Sequence, residues 1–327
     1  MIRYLVRRLA NYAVLLFVAV SLTFVLASVR LDPYSVYSLR TPPVPAETIE
    51  GLMREYGLSH DVPLWQRYLT WLGDILFRWD WGTSPLGVSV NDEIAVRMWV
   101  SLRLVLLGSL LGIVVGVAVG AWTATRQYTV SDRVVTFLAL LVISVPVFVL
   151  ATVSTIVAIR INNATGVDIF EFTGETGSVG AYPGAALVDR LQHLFLPTVV
   201  LTLTGAASLS RIQRNLMLDA LGSDYVRTAR AKGLRRGRAI RRHALRTALV
   251  PTGTYVAFTV ATLFVGSAYT ERVFNFRGMG MYAVDAIGSQ DVHGIVAVTA
   301  FSGVCVLTGA LLSDLLVALL DPRVRLG

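Results

Sequence analysis

Few residues in this 327-residue chain are of a kind that makes or breaks bonds, and their spacing does not combine them. The four histidines, His60, His193, His243 and His293, lie too far apart along the chain to form a metal-ligand motif. The single cysteine, Cys305, sits in an apolar run, which excludes an intrachain disulfide. The single lysine, Lys232, is followed by Gly233 and Leu234, so no phosphate loop ending in Gly-Lys-Ser/Thr exists. No Ser/His/Asp, Cys/His or acid/base pair can be assembled either. The expectation is a chain with no catalytic residue and no metal ligand.

What remains is recognition by charge and shape. Residues 211–246 hold 11 basic and 2 acidic residues, and this net +9 exceeds the +8 of the whole molecule. Within them, Asp224–Leu234 (DYVRTARAKGL) reads as a short helix. Asp224 is placed to cap its start, Val226, Ala229 and Ala231 keep it slim, and Gly233 stops it. Small residues on one side and cations on another fit a groove on a partner. Two other readings compete. Attraction to anionic membrane lipid, at ~1 kcal/mol per cation, would explain the charge alone. Nucleic acid fits poorly, because no aromatic stacking platform accompanies the cations. Only the partner-helix reading accounts for the defined start, the defined stop and the alanines between them. It places Ala229 and Gly233 in a close helix–groove contact.

The elements that carry this segment follow from composition. Hydrophobic residues make up 54% of the chain and charged ones only 15%, against about 25% charged in soluble domains. Mean hydropathy is +0.63. A soluble enzyme, a nucleic-acid-binding domain and a disordered scaffold are all excluded. Six apolar runs are long enough to cross a bilayer: Ala10–Val29, Leu104–Thr125, Val134–Ile159, Leu191–Ser210, Thr247–Thr270 and Gly294–Leu320. Their backbones must be helical, which predicts an all-α polytopic membrane protein. The connections alternate in charge. Residues 1–9, 126–133, 211–246 and 321–327 together carry 18 basic and 4 acidic residues. Residues 30–103, 160–190 and 271–293 carry 11 basic and 16 acidic residues. The positive-inside rule puts the first set, with both termini, in the cytoplasm. The basic start and first apolar run read as an uncleaved span, because no small-residue cleavage site follows.

The organisation expected is residues 1–29 as tail and first span, 30–103 as an extracytoplasmic segment, 104–320 as a five-span core containing the loop 211–246, and 321–327 as a cytoplasmic tail. In the outer segment, Ile49, Leu52, Met53 and Tyr56 follow a helical period that ends at Gly57, and a second amphipathic stretch runs from Leu64 to Phe77. In the second span, Gly108, Gly112, Gly116 and Gly120 recur every fourth residue and form a groove for close helix packing, first of all within the chain. Pro146 interrupts the third span and is expected to kink it. Intramembrane charge is nearly absent apart from Asp314, so the chain has no evident energy source of its own.

The stretch from Tyr225 to Pro251 resembles the Glu-Ala-Ala loop of ABC importer permeases, in particular the dipeptide/oligopeptide/nickel class. Arg227-Thr228-Ala229 stands at the Glu-Ala-Ala position, Gly233 at the glycine, and after nine intervening residues His243 and Leu245-Arg246 close the motif. Arg227, Thr228, His243 and Arg246 depart from the broad pattern and are similar to its peptide-class version, with Thr247 replacing an asparagine. Arg3–Arg8, Tyr56–Leu58, Gln66–Leu69, Leu191–Pro197, Glu271–Gly280, Ala286 to Asp291 and the closing Leu320–Arg325 resemble the same class in order and spacing. The outer segment Asn162–Asp189 departs by being longer.

The resemblance implies a type I importer permease fold in a bacterial cell membrane. It implies a second, homologous permease subunit, two ATP-binding subunits that carry the ATP and Mg, and an extracytoplasmic binding protein that delivers peptide. Asp224, Tyr225, Arg227, Thr228, Ala229, Arg230, Lys232, Gly233 and Leu234 would then form a coupling helix seated on an ATPase. The alternative is a self-sufficient channel or secondary carrier whose basic loop only orients it.

Overall fold

Apolar runs without charge satisfy their backbone groups internally, and here they do so as helices. The computed structural model describes residues 2–38, 41–177 and 184–320, without the side chains of residues 2–5, 254, 257–266, 313 and 316–320. The closing motif beyond Leu320 and the tail 321–327 lie outside the described residues. Helices α1 (Ile2–Arg30), α2 (Ser35–Ser38), α3 (Ala46–Glu55), α4 (Leu64–Arg78) and α5 (Val90–Thr125) come first. They are followed by α6 (Val130–Ser144), α7 (Val147–Thr165), α8 (Ala185–Gly222), α9 (Asp224–Ala231) and α10 (Arg236–Ala239). A single π-helical turn, Ile240–Ala244, leads into α11 (Leu245–Val273), and α12 (Met279–Gly288) and α13 (Val292–Leu320) complete the chain. Among the described residues, extended pairing is limited to an isolated bridge between Thr83 and Ser89.

Five segments among the described residues are long and apolar enough to span a membrane: that containing α1, then α5, α7, α8 and the first part of α13. The expected span Thr247–Thr270 lies within α11, whose side chains from 257 to 266 are not described. The expected span Val134–Ile159 is not one kinked helix but two. Helix α6 ends at Ser144, Val145 is extended, and Pro146 starts α7. Proline lacks an N–H and disfavours helical backbone in the residue before it, so the helix breaks rather than bends. Pro197, by contrast, is carried within α8 without interrupting it.

The chain divides into two compact units. Met1–Ser101 with Arg277–Cys305 forms the first. Its core gathers Phe24, Tyr37, Met53, Leu58, Trp71, Val292 and Val296, with Phe24 stacked on Trp71 at 4.6 Å between ring centres. The two amphipathic helices of the outer segment are α3 and α4, and Gly57, at φ +70°, ends the first of them. A second cluster joins Met279, Tyr282 and Ala286 of α12 to Ile94 and Met98 of α5, and the Met279 N–H donates to Ser101 Oγ at 2.7 Å. On α1, Val14, Leu15, Phe17, Val18 and Leu22 are left exposed, as lipid-facing residues are.

Leu102–Phe276 with Val306–Gly327 forms the second unit. Helix α8 is its axis and the most buried of the apolar helices, contributing Leu194, Leu196, Val200, Leu201, Leu209 and Met217 to the interior. Helices α6, α7 and α11 pack around it.

Candidate functional site

The site is α9 together with the seam that fixes its base. Helix α8 runs almost directly into α9, with Ser223 as the one extended residue between them. Ser223, rather than Asp224, occupies the cap position. Its hydroxyl turns back to the Ala220 carbonyl at 2.5 Å, and Asp224 is the first helical residue with its carboxylate in solvent. Asp224 therefore acts through its charge near the positive end of the helix, not as a capping acceptor.

The other end is closed as the sequence indicates. Gly233 adopts φ +88°, its N–H donates to the Arg230 carbonyl at 3.0 Å, and the Leu234 N–H donates to the Ala229 carbonyl at 3.2 Å. These paired bonds form the left-handed helix stop that glycine adopts without strain. Nothing lies within 4 Å of the place a Gly233 side chain would occupy.

The faces of α9 are assigned differently from the sequence expectation. Val226 and Ala229 are 4% and 8% exposed, turned onto the chain itself. Val226 joins Ala124 of α5, Met217 and Ala220 of α8, Ala244 of the π-helical turn and Ala248 of α11 in one buried cluster. Ala229 is thus not free to meet a partner's groove. The outward face is Asp224, Tyr225, Arg227, Thr228, Arg230, Ala231, Lys232 and Gly233, with Leu234 half-buried behind it. Tyr225 is 42% exposed, an aromatic amid cations. Arg227 lies 3.7 Å from Asp224, a solvated pair that fixes little. A cavity of about 440 Å³ opens beside α9, lined by Ala124, Leu221, Val226, Arg230, Arg236 and Ile240.

The seam beneath is the glycine series of α5. A Cβ on Gly108 would lie 2.6 Å from Leu201 Cβ, and one on Gly116 3.0 Å from Leu209 Cβ. On Gly120 it would lie 2.4 Å from the Ser210 carbonyl oxygen. Gly112 is looser, with the nearest atom, the Thr202 carbonyl oxygen, at 3.4 Å. Glycines at this spacing drift only about 40° per step around a helix, so they line a continuous track along α8. Below the seam, Arg214 of α8 donates to both oxygens of Asp132 at 2.8 and 2.9 Å, and the Tyr128 N–H donates at 3.0 Å. The guanidinium holds the Asp132 carboxyl below the usual carboxylate range despite its burial. The turn between α5 and α6 is thereby tied to α8. This pair spans 82 residues, and nothing in the local sequence pattern announced it.

Comparison with known proteins gives a consistent result. Residues 109–326 match the family model described as binding-protein-dependent transport system inner membrane component. The chain is 48% identical to the oligopeptide transport system permease protein OppB of Mycobacterium tuberculosis, covering 100% of both chains. It is 33% identical to the dipeptide transport system permease protein DppB of Lactococcus lactis, again covering 100% of both. It is 31% identical to the oligopeptide permease AppB of Bacillus subtilis over 99% of this chain and 100% of that one. Among solved structures, a chain of the MetNI methionine ABC transporter superposes with a TM-score of 0.51 at 19% identity. That match covers 70% of this chain and 96% of the other, and it supports the fold alone. A self-sufficient channel or carrier is not favoured by these relatives. The chain belongs to the family of binding-protein-dependent transport system inner membrane components, as a multi-pass, non-catalytic permease subunit of an ABC importer.

Proposed function

We propose that this chain forms half of the translocation pathway of an ATP-driven peptide importer, and that α9 transmits an ATPase subunit's movement to the spans. The observation that carries the reading is the sidedness of α9. Val226 and Ala229 are committed to the chain, while Tyr225, Arg227, Thr228, Arg230 and Lys232 are exposed. A helix rooted through Val226 and joined to α8 by the single residue Ser223 moves as part of the buried axis of its unit. A push on it is then passed to the packed spans rather than absorbed by a loop.

The peptide class rests on the full-length relatives, which are oligopeptide and dipeptide permeases. The remaining partners are a second homologous permease, two ATP-binding subunits and an extracytoplasmic binding protein. ATP and Mg belong to the ATPase subunits, and this chain contributes no group to the hydrolysis.

The test is to tag the chain in its own cells, solubilise it gently and identify what co-purifies by mass spectrometry. Recovery of a second permease and P-loop ATPases is expected, and the Arg227→Glu/Arg230→Glu variant should recover the permease without the ATPase. A stable, folded chain recovered alone would overturn the reading.

A further inference from the structure

At the first turns of α8, three side chains from the α7–α8 connection and the helix itself converge. Asp189 and His193 lie one helical turn apart and are 6% and 2% exposed. Glu171 reaches them because the residue before it is pinned. The Asn162 side chain accepts from the Ile169 and Phe170 N–H groups at 3.1 Å and donates to the Phe170 carbonyl at 2.9 Å. The Phe170 ring stacks on Phe195.

The hydrogen-bond chemistry sets the state of the histidine. His193 Nδ1 lies 2.8 Å from the Asp189 backbone carbonyl oxygen, which can only accept, so Nδ1 carries the proton. Nε2 then presents a lone pair to Glu171 Oε2, 3.3 Å away. Two lone pairs at that distance repel unless a cation joins them. The charges point the same way. Glu171, partly exposed, and the buried Asp189 bring two carboxylates together, and among the described residues Arg103 and Arg190 pair instead with Glu175.

Gly177 supplies an independent observation. Its N–H donates to both Asp189 oxygens at 3.1 Å. A Cβ there would lie 2.7 Å from Glu171 Oε2, 3.0 Å from His193 Cε1 and 3.3 Å from Asp189 Oδ1. The glycine thus faces a space that all three groups border, and any side chain would fill it.

We propose that Glu171, Asp189 and His193 bind a divalent transition-metal ion, zinc by their donor set, that clips the α7–α8 connection onto α8. One donor atom from each lies within 4.8 Å of the others. The 3.3 Å between Nε2 and Oε2 matches the edge of a tetrahedron with bonds of about 2.0–2.1 Å. A ring N–H given to a backbone carbonyl is how metal-bound histidines are oriented. The imidazole favours zinc over magnesium or calcium.

The test uses the full-length protein with its co-purifying subunits, stripped by a chelator, reloaded with ZnCl2, desalted and measured by inductively coupled plasma mass spectrometry. Wild type should hold about one more Zn2+ per chain than Glu171→Gln or His193→Ala, whose residual binding should fall at least about tenfold. Glu171 is partly exposed, so its glutamine variant serves even where His193→Ala fails to fold. Gly177→Ala should lose the metal too. Thermal unfolding gives a reading independent of transport: chelation should lower the wild-type midpoint and leave Glu171→Gln unmoved. Zinc retained equally by wild type and Glu171→Gln would overturn the proposal. So would a wild type that binds none and ignores the chelator.

Discussion

Two parts of the second unit are written in small residues, the α5 track against α8 and the short helix α9, and they use them to opposite ends. Along α5 the glycines let one backbone approach another, to the point that a Cβ on Gly120 would meet the Ser210 carbonyl oxygen at 2.4 Å. On α9 the small residues Val226 and Ala229 bury a narrow helix against its own chain, and the opposite face is left to cations and a tyrosine. Both patterns mark where the chain meets itself. On α9 the surface left exposed is marked by the charges that the small residues alternate with. That is the reverse of reading alanines as the partner-facing side, and the physical reason is simple. A lone two-turn helix has almost no stability in water, so its apolar residues must first root it to its own chain.

Substitutions can break this comparison at either end, and the largest effect belongs to the tightest contact. Gly120→Ala should destabilise the purified protein by about 3 kcal/mol, because backbone must shift to admit the methyl group. Gly112→Ala should cost under about 0.5 kcal/mol, since its nearest neighbour stands at ordinary contact distance. Equal shifts in thermal unfolding for the two would mean the track is not the close contact described. Next comes Ala229→Leu, expected to cost about 2 kcal/mol by overfilling a buried site. A variant as stable as wild type yet unable to retain the ATPase would return Ala229 to the partner's side.

Smaller again is Gly233→Ala, at about 1 kcal/mol from a side chain at φ +88°, with open space around it. Hydrogen exchange should show the loss confined to the end of α9, and a global loss would contradict a local helix stop. The least effect on stability, under about 0.5 kcal/mol, is expected for Arg227→Glu/Arg230→Glu on the exposed face. The same change should weaken ATPase retention by about 30-fold or more, the scale of a lost hot spot. Unchanged retention would sever α9 from the coupling role.

The Asp132–Arg214 pair sets a pH limit on the base of the site. The Asp132 carboxyl is held below its ordinary value, so its contribution is complete above the unfolded pKa and is lost as pH falls through the folded one. Asp132→Asn should therefore flatten the acid limb of the stability profile below about pH 4.

Much of this was legible in residue order. Periodicity and Gly57 gave α3, the apolar stretch from Leu64 gave α4, and Gly233 gave the end of α9 within a residue. These signals are local, because helix starts and stops depend on the few backbone groups at each end. The misreadings were local as well: Ser223 took the cap from Asp224, and Pro146 split a span where a kink was expected. Neither residue type dictates the outcome alone, since neighbouring backbone angles decide it. The Asp189–His193 spacing of four was also visible, but without Glu171 beside it two residues on a helix face are no ligand set.

The sequence by itself determined that this is a helical membrane protein, which connections carry the positive charge, and the family to which it belongs. Those properties are sums over short segments, set by hydrophobicity, charge and motif spacing. The tertiary structure alone decided which face of α9 is spent on the chain, which helix fills the glycine track, and which distant charges meet at Asp132 and at His193. Each of those depends on contacts between residues tens of positions apart. Such contacts are fixed by packing around α8, and no local pattern encodes them.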